Sequence, residues 1–547
     1  MILASDWLAF HADRTPEKLA AIDQQTGRRF TYGEFNDRAA RLAGYMRDAW
    51  NVKPGDRVAI LAKNSTEYFE FQFACVKLGT MMLPLNWRLA EPELLFILND
   101  SGAKGILYDA EFADRMPALV AGSHAKQTLC IDCNALTPQP PLPQGEGESV
   151  RDDTSSPFMG RGTGGWVNTY EQALASTSNR IEMNPQTTHD TPMMIMYTAG
   201  TTGHPKGVII THGMTLWNAV NISTPTGLAY DSTHYVVLPT FHTGGLNLYA
   251  NPVFHHGGTN IIARNFDPAI TLQTLQDESL NVTHFFGVPS IYLFLSQHPD
   301  FETTDLSRIK SWGCGGAPMP VAVLEKYAKR DMIIQLGFGM TETSPTVFLI
   351  DKRRALSKPT SVGKPLLHTR VRVVDDDLQD VPPGEVGEVV ISGPNITPGY
   401  WNRPDANEAS FSVDEHGNRW LHSGDAGMTD EEGCIYIVDR YKDMYISGGE
   451  NVYPAEVEQV LYQIDGVAEA AVIGIPDEKW GEGGLAILVC KAETTLNPDE
   501  VIDYCKARLA KFKVPKAVAF IEILPRNAAG KVLKRELRLQ FIQPETH

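Results

Sequence analysis

Positive charge is in short supply in this 547-residue chain, where 48 Lys and Arg face 66 Asp and Glu for a formal net charge of −18. No broad positive field is available, which excludes a protein whose main task is to coat nucleic acid or an anionic membrane. Anionic small molecules stay open, provided that cations are placed locally. Long hydrophobic runs are missing as well: no stretch of about eighteen apolar residues occurs. The first twenty residues carry Asp6, His11, Asp13 and Arg14, which interrupt any signal-peptide core. A cytoplasmic protein without a transmembrane segment is expected. Cysteine is scarce, and an odd count of 7 fits a reduced compartment rather than a disulfide framework. Cys130 and Cys133 form an isolated CxxC, read as incidental because no second pair or histidine cluster stands at zinc spacing.

What is present is the composition of a globular chain, 43% hydrophobic and 21% charged, which supports a large core and excludes intrinsic disorder overall. The length predicts about three to four domain-sized units. Thr31 and Glu34 make a capping box before FNDRAARLAGYMRDAW, whose apolar spacing predicts a helix. DRVAILAK (56–63) and GTMMLPLNW (79–87) read as buried strands on either side of the helix EYFEFQFACVKL. Strand and helix patterns alternate onward, so the fold class is α/β with mostly parallel sheet. Residues 136–165 are rich in Pro, Gly and Ser without periodicity, and read as a disordered surface insertion. Near 440 the pattern shifts to about a hundred residues of βαβ-like text, a separate small domain. The boundaries are 1–439 and 440–547.

The chemistry concentrates in MMIMYTAGTTGHPKGVIITH, residues 193–212. Gly200, Gly203 and Gly207 let backbone amides approach an anion, Thr198, Thr201 and Thr202 add hydroxyls, and Lys206 adds a full charge. That inventory suits a polyphosphate. It is not a Walker loop, because no Gly-Lys-Ser/Thr closes it. SWGCGGAPMP (311–320) and QLGFGMTETSP (335–345) each leave a slot for a planar ring against backbone, and the second ends in Thr341 and Glu342, suited to a phosphate and to Mg²⁺. Asp425 follows a glycine in WLHSGDAG, where a carboxylate can accept from a ribose diol, and Arg440 supplies a multi-donor fork.

The ordered series YTAGTTGHPKG, GCGGAP, GFGMTET, LHSGD, DRYKD and PRNAAGK closely resembles the motifs of the adenylate-forming superfamily over roughly residues 10–540. That resemblance implies a large N-terminal domain of parallel-rich sheets flanked by helices and a small mobile α+β C-terminal domain, acting on a carboxylic acid, ATP with Mg²⁺, and coenzyme A. It implies a pyrophosphate loop at Thr198 to Lys206 and an adenine slot of Gly315, Gly316, Ala317, Pro318, Phe338, Gly339 and Met340. It further implies an α-phosphate contact at Thr341, a magnesium ligand at Glu342, and ribose contacts at Asp425 and Arg440. Lys442 resembles the hinge and Lys531 the catalytic lysine. Rotation about the hinge would bring Ser447, Gly448, Gly449 and Glu450 to the site as a coenzyme A channel. Lys511, Lys513 and Lys516 are equally a phosphate site for coenzyme A or a basic surface strip.

For the acid, Phe241 is followed by His242 in LPTFHTGGLN, where amino-acid-activating relatives place a carboxylate for the ammonium. Amino acids therefore lose ground. Phe241, His242, Gly244 and Phe286 resemble an acyl-pocket wall, with medium- or long-chain fatty acids expected first and aryl or hydroxycinnamic acids close behind. A luciferase-type oxygenase and a non-catalytic nucleotide-binding scaffold are the rival readings. The partners expected are small molecules, with homodimerisation left open and no nucleic acid.

Overall fold

The computed structural model describes residues 2–132, 169–177, 180–198, 205–440, 443–477, 480–492, 494–526 and 530–542, with Arg440 described in its backbone only. The 136–165 insertion, Gly200 to Gly203, and Lys442 lie outside the described residues. The chain divides into two compact units, residues 1–21 with 29–207 and residues 22–28 with 208–547.

In the first unit, Thr31 starts the helix Tyr32–Trp50 as its spacing predicts. Its hydroxyl accepts from Glu34 N at 3.3 Å, and its own N–H donates to Glu34 Oε2 at 2.8 Å. The strands Gln127–Ile131, Gly105–Asp109, Arg57–Leu61, Met81–Pro84 and Pro192–Thr198 follow one another in a parallel sheet. The helix Thr66–Leu78 is buried on every residue, so its polar side chains need partners. Arg38 and Tyr170 each bond Glu70 at 2.7 Å, and Lys77 bonds Asp6 and Asn36 at 2.6 Å.

The second unit opens with strands in the order Lys364–Pro365, Thr346–Leu349, Ile334–Gly339, Ser311–Cys314, His284–Gly287, Thr233–Val236, Thr259–Ile262. Those from Ile334 onward are parallel, and the first two are antiparallel. A further sheet, built from Arg370–Val374, Val386–Ser392, Arg419–Thr429, Phe411–Val413 and Ile435–Arg440, is wholly antiparallel. After 443 the small sheet is mostly antiparallel: the long pair Val467–Asp477 and Gly481–Cys490 is a hairpin. The βαβ pattern read from the sequence is realised once, where Gly481–Cys490 crosses through the helix Pro498–Lys506 to the parallel strand Ala517–Phe520. The architecture is thus a large N-terminal α/β part followed by a smaller C-terminal part.

Cys75, Cys314, Cys434, Cys490 and Cys505 are free thiols. Cys130, of the CxxC read as incidental, is disulfide-bonded.

The parallel core of the second unit carries a titration signature. Burial lowers the pKa of His234 to about 3 and that of His284 to about 4. Both rings are hydrogen-bonded while neutral, His234 Nδ1 at 3.1 Å from His284 O and His284 Nε2 at 3.1 Å from Thr226 O. The unfolded chain binds these protons near pH 6.5 and the folded one only well below that. Stability should be full above about pH 6.5 and fall as pH drops toward 4. A melting series from pH 7.5 to 4.5 should therefore slope downward, and a flat series would contradict it.

Candidate functional site

The strands His284–Gly287, Ser311–Cys314 and Ile334–Gly339 end on the same edge of the parallel sheet, where open α/β folds place ligands. Two glycines allow the backbone to close up there. A Cβ on Gly315 would stand 2.8 Å from Gly337 O and 3.3 Å from Phe286 Cζ, and one on Gly339 would overlap Pro345 O. The result is a cavity of about 180 Å³. Its walls include His242, Gly244, Phe286, Gly315, Gly316, Phe338, Gly339, Met340 and Thr341. Residues that the sequence divided between a nucleotide slot and an acyl pocket thus share one space. Tyr249 and Val288 complete the apolar side, with the Tyr249 ring edge-on to Phe286 at 5.6 Å and its hydroxyl 3.2 Å from Ser311 Oγ.

Phe241, Ala317 and Pro318 do not line the cavity. The Phe241 ring is buried and packs 5.1 Å from His242, so it acts as backing for that wall. Pro318 is exposed.

Glu342 lies in the short helical turn Thr341–Thr343 and is only 7% exposed. Tyr400, a residue that the sequence did not single out, donates its hydroxyl to Glu342 Oε1 at 2.9 Å. Burial and the neighbouring carboxylate hold the Tyr400 phenol well above its ordinary range, so it stays a donor. No group of three or more His, Cys, Asp or Glu suited to a metal occurs among the described residues. A single positioned carboxylate fits Mg²⁺, which is commonly held by one or two carboxylates plus the phosphates of its nucleotide.

Asp425 is buried and stands directly across the antiparallel ladder from Arg440. In the first unit, Thr198 closes one strand and Lys206 opens the next, with the Thr198 hydroxyl 3.5 Å from Lys206 O. Ser447 is fully buried, Glu450 is exposed, and the two are partners across a tight turn in which Gly448 and Gly449 have φ of 64° and 85°. Such a turn needs two residues with positive φ, which explains the glycine pair locally. Gly448 donates to Trp480 O at 2.7 Å, and none of Ser447, Gly448, Gly449 or Glu450 lines the cavity.

The loop that carries Lys531 comes to the cavity wall. Its loop is closed by the bridge between Arg526 and Val532 and by Arg526 donating to Gly530 O at 2.6 Å. Gly530, at φ 79°, comes so close to the cavity wall that a Cβ would stand 3.0 Å from Val288 Cγ2 and 3.2 Å from Ser290 Oγ. Lys531 is the next residue and half-buried. The helix Pro454–Leu461 reaches the same neighbourhood through Gln459 Nε2, which donates to Met319 O at 3.3 Å.

No described helix is long and apolar enough to cross a membrane. Comparison with known proteins places the chain in a family. A family model of AMP-binding enzymes matches residues 8–401, and one of the AMP-binding enzyme C-terminal domain matches residues 456–531. The chain is 39% identical over 535 residues to a feruloyl-CoA synthase of Amycolatopsis sp, covering 98% of each. It is 36% identical over 529 residues to a long-chain-fatty-acid CoA ligase of Mycobacterium tuberculosis, covering 96% of each. It also resembles, with a TM-score of 0.81 and 32% identity over 97% of this chain and 98% of the other, the o-succinylbenzoate CoA synthetase of Bacillus subtilis in complex with its acyl-adenylate. The chain therefore belongs to the AMP-binding enzymes, in the acyl-CoA synthetase branch of the adenylate-forming superfamily.

Proposed function

We propose that this ligase joins a compact aryl carboxylic acid, of the hydroxycinnamic type, to coenzyme A through an acyl-adenylate. The observation that carries the reading is the aromatic wall that Tyr249 and Phe286 give the shared cavity, with the Lys531 loop at its edge. Aromatic edges suit a planar guest. The greater identity to a feruloyl-CoA synthase than to a fatty-acid ligase supports the same choice. This reverses the order expected from the sequence, in which fatty acids came first.

In the first half-reaction a carboxylate oxygen bonds to the α-phosphorus of ATP as the bond to pyrophosphate breaks. Two anions must meet, so the protein contributes position and fixed positive charge rather than a nucleophile. The Lys531 ammonium neutralises charge that builds on the phosphoryl oxygens, and Thr341 donates to the α-phosphate. Glu342 would hold the Mg²⁺ that accompanies the nucleotide and screens its phosphates. Asp425 accepts from the ribose diol and Arg440 donates to the nucleotide. Gly315, Gly316 and Phe338 form the adenine slot, and Thr198 to Lys206 form the pyrophosphate loop. In the second half-reaction the coenzyme A sulfur attacks the acyl carbonyl, AMP leaves with the bridging oxygen, and the thiol proton passes to solvent. The segment 440–547 turns about Lys442 between the two, withdrawing Lys531 and bringing the Ser447 to Glu450 turn to the thioester channel. Lys513 is paired with Glu456 at 2.7 Å, whereas Lys516 lies over the Trp480 ring at 4.4 Å.

Gly244 tests the acid assignment. A Cβ there would meet only Leu238 Cδ1 at 3.8 Å, so this cavity glycine has room for a side chain. In a pyrophosphate-release panel of aryl, fatty and short-chain acids, the wild type should prefer a hydroxycinnamic acid. Gly244→Leu should lower kcat/KM for ring-substituted acids by about 10- to 200-fold and spare a short-chain one. A wild type fastest on palmitate would overturn the aryl assignment.

A further inference from the structure

Three charged side chains that the proposed chemistry does not use meet behind the catalytic loop. Lys534 opens the helix Lys534–Phe541, one turn after Lys531, and its ammonium lies 2.9 Å from Glu458 Oε1 and 3.9 Å from Asp439 Oδ2. Asp439 Oδ2 also accepts from the N–H of Ala455 at 3.0 Å, in the first turn of the helix Pro454–Leu461. Glu458 Oε1 accepts from Val472 N at 2.8 Å. The three side chains are 13%, 14% and 10% exposed for Lys534, Glu458 and Asp439, so each charge depends on its neighbours. Burial opposes the charged form of Lys534, yet Glu458, Asp439 and Asp443 together hold its pKa above the ordinary value.

These partners belong to different parts of the chain. Asp439 is registered against Ala426 on the antiparallel sheet that carries Asp425. Ala455, Glu458 and Lys534 follow the hinge position, as do Asp443 and Arg538, which pair at 3.1 Å. A rotation about residue 442 carries Lys534 with Glu458 and Arg538 with Asp443 unchanged. It separates Asp439 from both the Lys534 ammonium and the Ala455 N–H.

We propose that Asp439 is a positioning residue, a latch whose contacts with Lys534 and Ala455 hold the C-terminal segment where Gly530 rests on Val288. Lys531 is thereby kept at the cavity for adenylation, and the latch must open before thioester formation. The proposal rests on the two-orientation reading given above. Asp439→Asn removes the charge and keeps the shape. It should lower acid-dependent ATP–pyrophosphate exchange by about ten- to a hundredfold, the worth of a hydrogen bond to a charged group. Thioester formation from supplied acyl-AMP and coenzyme A should be unchanged or faster, with the KM for ATP unaltered. Lys534→Met should reproduce the split, and Lys534→Arg should largely restore exchange. Equal loss of both half-reactions in a variant that melts like the wild type, or no change in either, would overturn the latch. Should Asp439→Asn fail to fold, the Lys534→Met and Lys534→Arg pair decides by the same criterion. Lys531→Ala, assayed in parallel, separates the two levels: if it loses both half-reactions equally, the two-orientation reading fails. If it splits them and the latch variants do not, only the latch fails.

Discussion

Lys531→Ala is expected to lower acid-dependent ATP–pyrophosphate exchange by about a hundred- to a thousandfold, the usual cost of one electrostatic stabiliser. Thioester formation from supplied acyl-AMP should be spared. The expectation comes from where the residue sits: it follows Gly530, whose backbone rests on Val288 and Ser290 at the cavity. A fixed cation there lowers the barrier only while negative charge accumulates on phosphorus. The second step builds charge on a carbonyl oxygen instead and, in the proposed cycle, with Lys531 withdrawn. Stopped assays of the two half-reactions measure the split directly. Equal losses would mean that Lys531 serves binding or folding rather than the first step.

Glu342→Gln is expected to produce the next largest loss, about a hundredfold or more in adenylation, together with a higher Mg²⁺ concentration for half-maximal rate. The amide keeps an oxygen to accept the Tyr400 hydroxyl, now 2.9 Å from Oε1, so the turn Thr341–Thr343 should remain folded. Only the charge is lost. Tyr400→Phe provides the complementary measurement: it leaves the charge and removes the donor that aims it. About a tenfold fall is expected, in line with a hydrogen bond to a charged group. A Glu342→Gln enzyme with wild-type Mg²⁺ dependence would remove Glu342 from the metal role.

Local devices in the chain were legible because they depend on near neighbours. Thr31 and Glu34 announce the helix Tyr32–Trp50, and the observed capping box is a contact across three residues. The parallel strands around Arg57–Leu61 follow from short apolar runs between helical patterns. The glycines at 315 and 339 signalled close backbone approach, and each is blocked by a carbonyl oxygen in the folded chain. Three readings needed more than local pattern. The sheets formed by Arg370–Val374 to Ile435–Arg440 and by most of the C-terminal part are antiparallel, since pairing direction depends on which strands meet and not on their composition. Phe241 was read as cavity wall, but His242 and Gly244, at the start of the helix Thr243–Leu246, line the cavity while the buried phenyl ring packs against His242. The Gly448–Gly449 pair is accounted for by a positive-φ turn against Trp480, whatever further part it plays.

By itself, the order of the motifs from YTAGTTGHPKG to PRNAAGK marked the resemblance to adenylate-forming enzymes, and the reaction class followed from that resemblance, since each motif taken singly is equally a loop or a solvated charge. Tertiary structure decided what no spacing encodes. Tyr400 meets Glu342 across 58 residues, Gly530 meets Val288, and Asp439 meets Lys534. Each is a contact between distant segments, set by how sheets and helices pack rather than by the spacing of residues along the chain.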